Sequence, residues 1–209
     1  YRKRKVHLLN GAHTLLVSVA LQLGYETVRE AITQPALSRF VRRAMLDEIA
    51  PTLQVDGTEE FAEAVLDRFR NPHIRHALID ITLQATMKMR VRVVPSIQRY
   101  VARNDRVPQA LAFGFAAFLQ FMQGSFHASR MEHGLPVPAD DQRAHLRNHW
   151  DGVSADSATS LTGLVSSICG DVALWGTDLN EVPGFTDAVS DHLSRIRAQG
   201  MSAALDHLS

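Results

Sequence analysis

Apolar residues return every three or four positions along almost the whole of this chain, a periodicity that leaves room for little besides α-helices. Between Ala12 and Leu23 the repeating set is Leu15, Leu16, Val19, Ala20 and Leu23, with Gly24 placed to end the helix. A second helix is predicted from Pro35, whose missing N–H costs nothing in a first turn, to just before Pro51. Thr58-Glu-Glu-Phe61 opens a third with acidic residues at the positive end of the helix dipole, and Asn71-Pro72 breaks it. The same pattern predicts helices over 74–88, 95–100, 108–123, 140–150, 157–169 and 186–199, and a short one from Met201. The longest loops are expected near 129–139 and 151–156. No stretch alternates strictly enough to read as a strand, the β-branched cluster at 91–94 is too short for one, and nothing repeats at a period of about 20–50 residues. The fold class expected is all-α: one multi-helical domain of about ten helices over 1–209.

Composition narrows what such a domain does. The chain has 209 residues with 22 basic and 22 acidic side chains, and this balance speaks against a nucleic-acid or anionic-membrane binder, which would carry a basic excess. Its one cysteine, Cys169, excludes an intrachain disulfide framework and a multi-cysteine zinc site, and fits the reducing cytoplasm. No apolar run reaches the ~18 residues a membrane span needs, and the basic opening is not followed by the apolar stretch of a signal peptide. The first residue is Tyr1, and the opening reads as the middle of a longer chain. Gly-x-Gly-x-x-Gly after a strand, a Walker loop and His-Glu-x-x-His are all missing, so a nucleotide-binding sheet is not expected in these residues.

The stretch Lys5-Val-His-Leu-Leu-Asn10-Gly-Ala-His13 carries the chemistry. Asn10 and His13 are three apart and share a helix face, while Lys5 lies eight residues before His13, roughly 12 Å along a straight helix. An ammonium, an amide and an imidazole together suit metal-free proton transfer at a carbonyl or alcohol oxygen. On spacing alone they also read as a solvated basic face, a helix cap at Asn10 and an ordinary packed histidine. The pairs His73/His76 and His145/His149 have spacings that can clip a metal, yet no acidic or cysteine ligand is recognisable beside either in the sequence. Surface or capping histidines are expected there, and no metal site. Cys169, Met87 and Met89 read as packing residues, and Trp150 and Trp175 as core or interface anchors.

Lys-x4-Asn-x2-His, set in Lys5-Val-His-Leu-Leu-Asn-Gly-Ala-His-Thr14, resembles the active-site signature of the polyol-specific long-chain dehydrogenases, the mannitol dehydrogenase family. The resemblance continues through Leu23-Gly-Tyr-Glu-Thr-Val-Arg-Glu30, Phe69-Arg-Asn-Pro72, Lys88-Met-Arg-Val-Arg-Val-Val-Pro95 and Trp175-Gly-Thr-Asp-Leu-Asn-Glu-Val-Pro-Gly184. It is to the family's C-terminal helical half. Leu9-Asn-Gly-Ala-His-Thr14, Glu26-Thr-Val-Arg-Glu30 and Arg92-Val-Val-Pro-Ser96 resemble the branch that interconverts tagaturonate and altronate. Mannitol-type members typically carry Asp-Gly-Ser-x-Lys where this chain has Gln84-Ala-Thr-Met-Lys88, and a substrate-binding arginine where it has Asp80.

What this resemblance implies is an NAD-dependent oxidoreductase, with the cofactor held by an N-terminal Rossmann domain outside these residues. Lys5 would be general acid in ketone reduction and general base in alcohol oxidation. Asn10 would hydrogen-bond the oxygen that becomes negative, and His13 a neighbouring substrate hydroxyl. Lys88 would contact substrate. A uronate carboxylate calls for a cation, best a guanidinium; Arg92, one turn after Lys88, is the candidate, with Arg90 and Arg68 as alternatives. The same class with fructuronate or mannitol as substrate stays open, as does a non-catalytic helical interaction domain.

Overall fold

The computed structural model describes residues 2–73, 76–135, 137, 139–151 and 158–208. Among these there is no strand, only one antiparallel bridge between Thr27 and Ala77. Eight helices carry the architecture: α1 (Gly11–Gln22), α2 (Pro35–Arg42), α3 (Thr58–Arg70), α4 (Val94–Asn104), α5 (Gln109–Met122), α6 (Arg143–Trp150), α7 (Ala158–Cys169) and α8 (Phe185–Gln199). Short helical turns fill the connections.

Helix α5 is the axis of the core. Its sequence is apolar on every face, and all of its residues from Ala110 to Met122 except Gln120 are buried, as expected of a helix enclosed by others. Helices α1 and α8 pack along it, and α7 packs outside α8. Phe115 stacks at 4.9 Å on Trp175 and meets Phe185 edge-on at 5.3 Å. The Trp175 indole N–H donates to the carbonyl of Ile168 at 2.7 Å, so a buried ring keeps its polar handle satisfied. At the N-terminus of α5, the buried Glu48 carboxylate accepts the N–H groups of Ala110 and Leu111, both at 2.9 Å, and thereby takes up two donors a helix start leaves unpaired.

Close approach of α1 and α5 is permitted by Gly114. A Cβ there would stand 2.5 Å from Leu15 Cδ2 and 3.4 Å from Phe40 Cζ, both in the core. Gly114→Val is therefore expected to lower stability by about 1–3 kcal/mol through overpacking, read as a lower denaturant midpoint at unchanged slope.

Most of the expected helices are present within a residue or two, and the departures have local causes. The 74–88 helix is two short ones, Leu78–Ile81 and Ala85–Lys88, separated by Gln84 in a left-handed conformation at φ 52°; residues 74 and 75 lie outside the described set. Gln84 is held from a distant loop: its N–H donates to Ala139 O at 2.9 Å, and its side-chain oxygen accepts the Asp141 N–H at 3.3 Å. The loop expected from 129 is helical in its first part, within Ser125–Glu132. The expected loop at 151–156 and the first residue of the 157–169 helix lie largely outside the described residues. The 95–100 helix extends to Asn104.

Three segments, Lys5–Asn10, Arg43–Ile49 and Met89–Val93, are π-helical. The last two stop just ahead of Pro51 and Pro95, which have no N–H to offer the preceding turn, and the ladder loosens before each. The first carries the Lys5 stretch.

Candidate active site

The helix does not begin at residue 12 but runs from Arg2 through the π segment into α1. The Gly11 N–H reaches back to Val6 O, the five-residue spacing of a π turn. Such a turn acts as a one-residue insertion. It converts the eight-residue step from Lys5 to His13 into the equivalent of seven, about two complete turns and roughly 10 Å of rise. By this count Lys5, Asn10 and His13 are drawn towards one face. Asn10 is not a cap: its backbone is helical and its side chain makes no capping hydrogen bond. Lys5 is exposed on this domain.

His13 is the most defined member of the group. Its ring stacks on Phe69 at 4.2 Å and stands 5.9 Å from the ring of His76. Burial holds the imidazole down at about 4, helped by the charges of His76, Arg92 and Arg68, with a backbone hydrogen bond to Leu9 acting the other way. The ring is therefore neutral at pH 7. Nε2 is buried and has no partner, so the backbone bond belongs to Nδ1, which donates to the Leu9 carbonyl. That tautomer leaves Nε2 as a buried acceptor without a donor.

The π segment Met89–Val93 lies against the Lys5 segment and α1. His7 bonds the Arg92 carbonyl at 2.9 Å through Nδ1, and that same carbonyl is 3.6 Å from where a Cβ on Gly11 would sit. The half-buried Arg92 guanidinium donates to Thr14 Oγ1 at 3.3 Å, and Thr14 in turn donates to the Asn10 carbonyl at 2.8 Å. Arg92 is thereby tied to the helix that carries Asn10 and His13. Lys88 donates to Ile81 O at 2.9 Å. Burial lowers its pKa from the usual lysine value; the Arg92 charge adds to this and Asp140 opposes it.

Of the alternatives to Arg92, Arg90 is turned away, its guanidinium packed on Gly176. Arg68 is exposed on α3, and its charge reaches His13. Cys169 is fully buried and its thiol is pushed up to about 12, as a packed residue should be. Met89 is buried but Met87 is 47% exposed, so only the first packs in this domain.

His76, exposed as expected, also stands beside His13, a relation that sequence reasoning missed. The pairing of Val28 N–H with His76 O at 3.0 Å and Leu78 N–H with Glu26 O at 2.9 Å folds its chain segment back across α1. The only local signal was the capping box Thr27-x-x-Glu30, formed here as side chain to backbone in both directions.

Comparison with known proteins identifies the family. The altronate oxidoreductase of Bacillus subtilis (strain 168) is 36% identical over 206 residues, covering 99% of this chain and 40% of that protein. That of Cronobacter sakazakii (strain ATCC BAA-894) is 38% identical over 208 residues, covering 98% and 42%. Among solved structures, Pseudomonas fluorescens mannitol 2-dehydrogenase, in ternary complex with NAD and D-mannitol, superposes with a TM-score of 0.82 at 23% identity, over 100% of this chain and 40% of that one. D-Sorbitol dehydrogenase in substrate-free form gives 0.72 at 20% identity, over 97% and 40%. The chain thus spans about two fifths of the length of these relatives. The mannitol dehydrogenase C-terminal domain profile matches residues 1–197. The chain belongs to the mannitol dehydrogenase C-terminal domain family.

Proposed function

We propose that this domain is the substrate-binding and proton-transfer half of an NAD-dependent oxidoreductase that interconverts tagaturonate and altronate. The observation that carries the reading is the buried, unpartnered Nε2 of His13, on the helix that also carries Asn10 and to which the Arg92 guanidinium is tethered. A buried acceptor left open is costly, and a polyhydroxylated substrate supplies the donor. The altronate oxidoreductases named above support the substrate.

Lys5 gives its proton to the carbonyl oxygen during reduction and takes it back during oxidation. Asn10 donates to that oxygen as negative charge builds, and His13 accepts a hydrogen bond from the adjacent hydroxyl. Lys5 is exposed on this domain, so its ammonium is open to a neighbouring domain and to substrate. The described residues contain no dinucleotide-binding sheet, so these helices do not fit NAD as its principal holder. Hydride chemistry is what a nicotinamide supplies when bound by the rest of a longer protein.

Arg92, with Lys88 nearby, offers the cationic end for the substrate carboxylate. In the full-length protein, Arg92→Leu is expected to raise KM for uronates by about tenfold or more, the loss of one charge-assisted hydrogen bond, while neutral ketoses change little. Equal losses for both substrate types would remove Arg92 from carboxylate recognition.

A further inference from the structure

We propose that His145, His149 and Asp171 bind one divalent transition-metal ion of the zinc class, a clasp between helix α6 and the corner that follows α7. The three residues supply none of the Lys5 group. His145 and His149 are one turn apart on α6, so both imidazoles leave the same face. Each points Nε2 at the same carboxylate oxygen, Asp171 Oδ2, at 2.5 Å from His145 and 3.2 Å from His149. The three donor atoms all lie within 4.8 Å of one another.

Two imidazole nitrogens and a carboxylate oxygen converging on one small volume are held together either by N–H hydrogen bonds or by a cation. The surroundings suit a cation. The other Asp171 oxygen, Oδ1, accepts the N–H groups of Ala173 at 3.0 Å and Leu174 at 3.2 Å. Those bonds fix the carboxylate and leave Oδ2 as a single presented ligand. His149 Nδ1 pairs with Ser167 Oγ at 2.9 Å, an outer contact of the kind that orients a metal-bound imidazole. Zinc held at about 2.0–2.2 Å in tetrahedral geometry wants its donors roughly 3.3–3.5 Å apart. The His149–Asp171 pair at 3.2 Å is within about 0.1 Å of that spacing, and the His145–Asp171 pair must open by less than about 1 Å. The two imidazole nitrogens, no more than 4.8 Å apart, must close by about 1.5 Å at most, within reach of a small rotation of an exposed side chain. His145 is 48% exposed, which leaves water access for the fourth position.

The two histidines and the aspartate are separated by more than twenty residues of sequence, so a shared ion would cross-link helix α6 to the α7 corner. The nitrogen and oxygen donor set excludes calcium and magnesium as preferred occupants, since those ions take oxygen ligands. The site shares no residue with the proton-transfer group and makes no demand on it.

The test is calorimetric titration of zinc chloride into chelator-stripped protein, with melting temperature and the visible spectrum of the cobalt-substituted form as second readouts. One equivalent of zinc is expected, with a rise in melting temperature and a four-coordinate cobalt spectrum. His145→Gln and Asp171→Asn should each weaken binding on the order of 100-fold. The aspartate variant keeps a good helix cap, so it separates metal loss from misfolding. His73→Gln should leave binding unchanged. No binding, or zinc binding undiminished by both site variants, would overturn the proposal and leave a proton-held histidine–carboxylate cluster.

Discussion

Lys5→Ala in the full-length protein is expected to cut kcat by a factor on the order of 10²–10⁴, the usual contribution of a positioned general acid or base. The fold should hardly notice. Lys5 is exposed, and surface substitutions of this kind stay within about ±0.5 kcal/mol. Near-normal turnover would show that the proton comes from elsewhere and would dissolve the role assigned to the π segment. A large loss of turnover accompanied by an equal loss of stability would mean instead that Lys5 holds the helix start together.

Acid should destabilise this domain steeply between about pH 6.5 and 4, the interval separating free from buried histidine. His127 and His192 are both 6% exposed and held down at about 4, chiefly by burial. Arg143 and Arg130 push His127 the same way while Asp140 opposes them; Arg195 and Arg43 do so for His192 against Asp191. His13 behaves alike. Because these folded-state values lie below the ordinary 6.5, the unfolded chain binds more protons in this interval. The stability they contribute is complete above about pH 6.5 and is lost as pH falls through about 4, on the order of 3 kcal/mol for each deeply buried ring.

Glu48 has the opposite sign. Burial raises it to about 7 despite the two α5 N–H donors and Arg43, so its contribution is present below about 4.5 and lost as pH rises through 7. Three histidines outweigh one carboxylate, and below about 4.5 the histidines act without that opposition. Denaturant midpoints measured from pH 7.5 to 4 should therefore fall throughout the lower half of the range. His192→Gln, which keeps a polar group near Gln109 (the native contact is 3.1 Å), should remove about one proton from the uptake on unfolding. A flat profile would mean that these rings open to water before the chain unfolds.

Much of the fold was legible because helix burial is written locally. The apolar surround of α5 and the face of α1 are properties of fourteen and twelve consecutive residues. What escaped was set by contacts distant in sequence. Nothing near Gln84 marks it as left-handed; the Ala139–Asp141 loop imposes that conformation from more than fifty residues away. The π turn at Lys5 leaves the apolar pattern unchanged while rotating the residues that matter. Lys5, Asn10 and His13 can be proposed from their spacing and resemblance, but the contacts around His13 cannot. His76 reaches His13 through a two-bond chain pairing, and Asp171 reaches His145 and His149 across α7. The reading of those last two as histidines without an acidic neighbour failed for that reason.

The proposed role of these helices is to select a uronate ketone for reduction by a nicotinamide. The most direct measurement is NADH consumption by the full-length protein offered tagaturonate, fructuronate and fructose in parallel. Tagaturonate should be turned over with the highest kcat/KM, and fructose least well, since it lacks the carboxylate that Arg92 is proposed to hold. Preference for fructose would contradict the carboxylate assignment, and preference for fructuronate would keep the proton-transfer group while overturning the substrate. No consumption with any of the three, from folded protein that binds NADH, would contradict the claim outright.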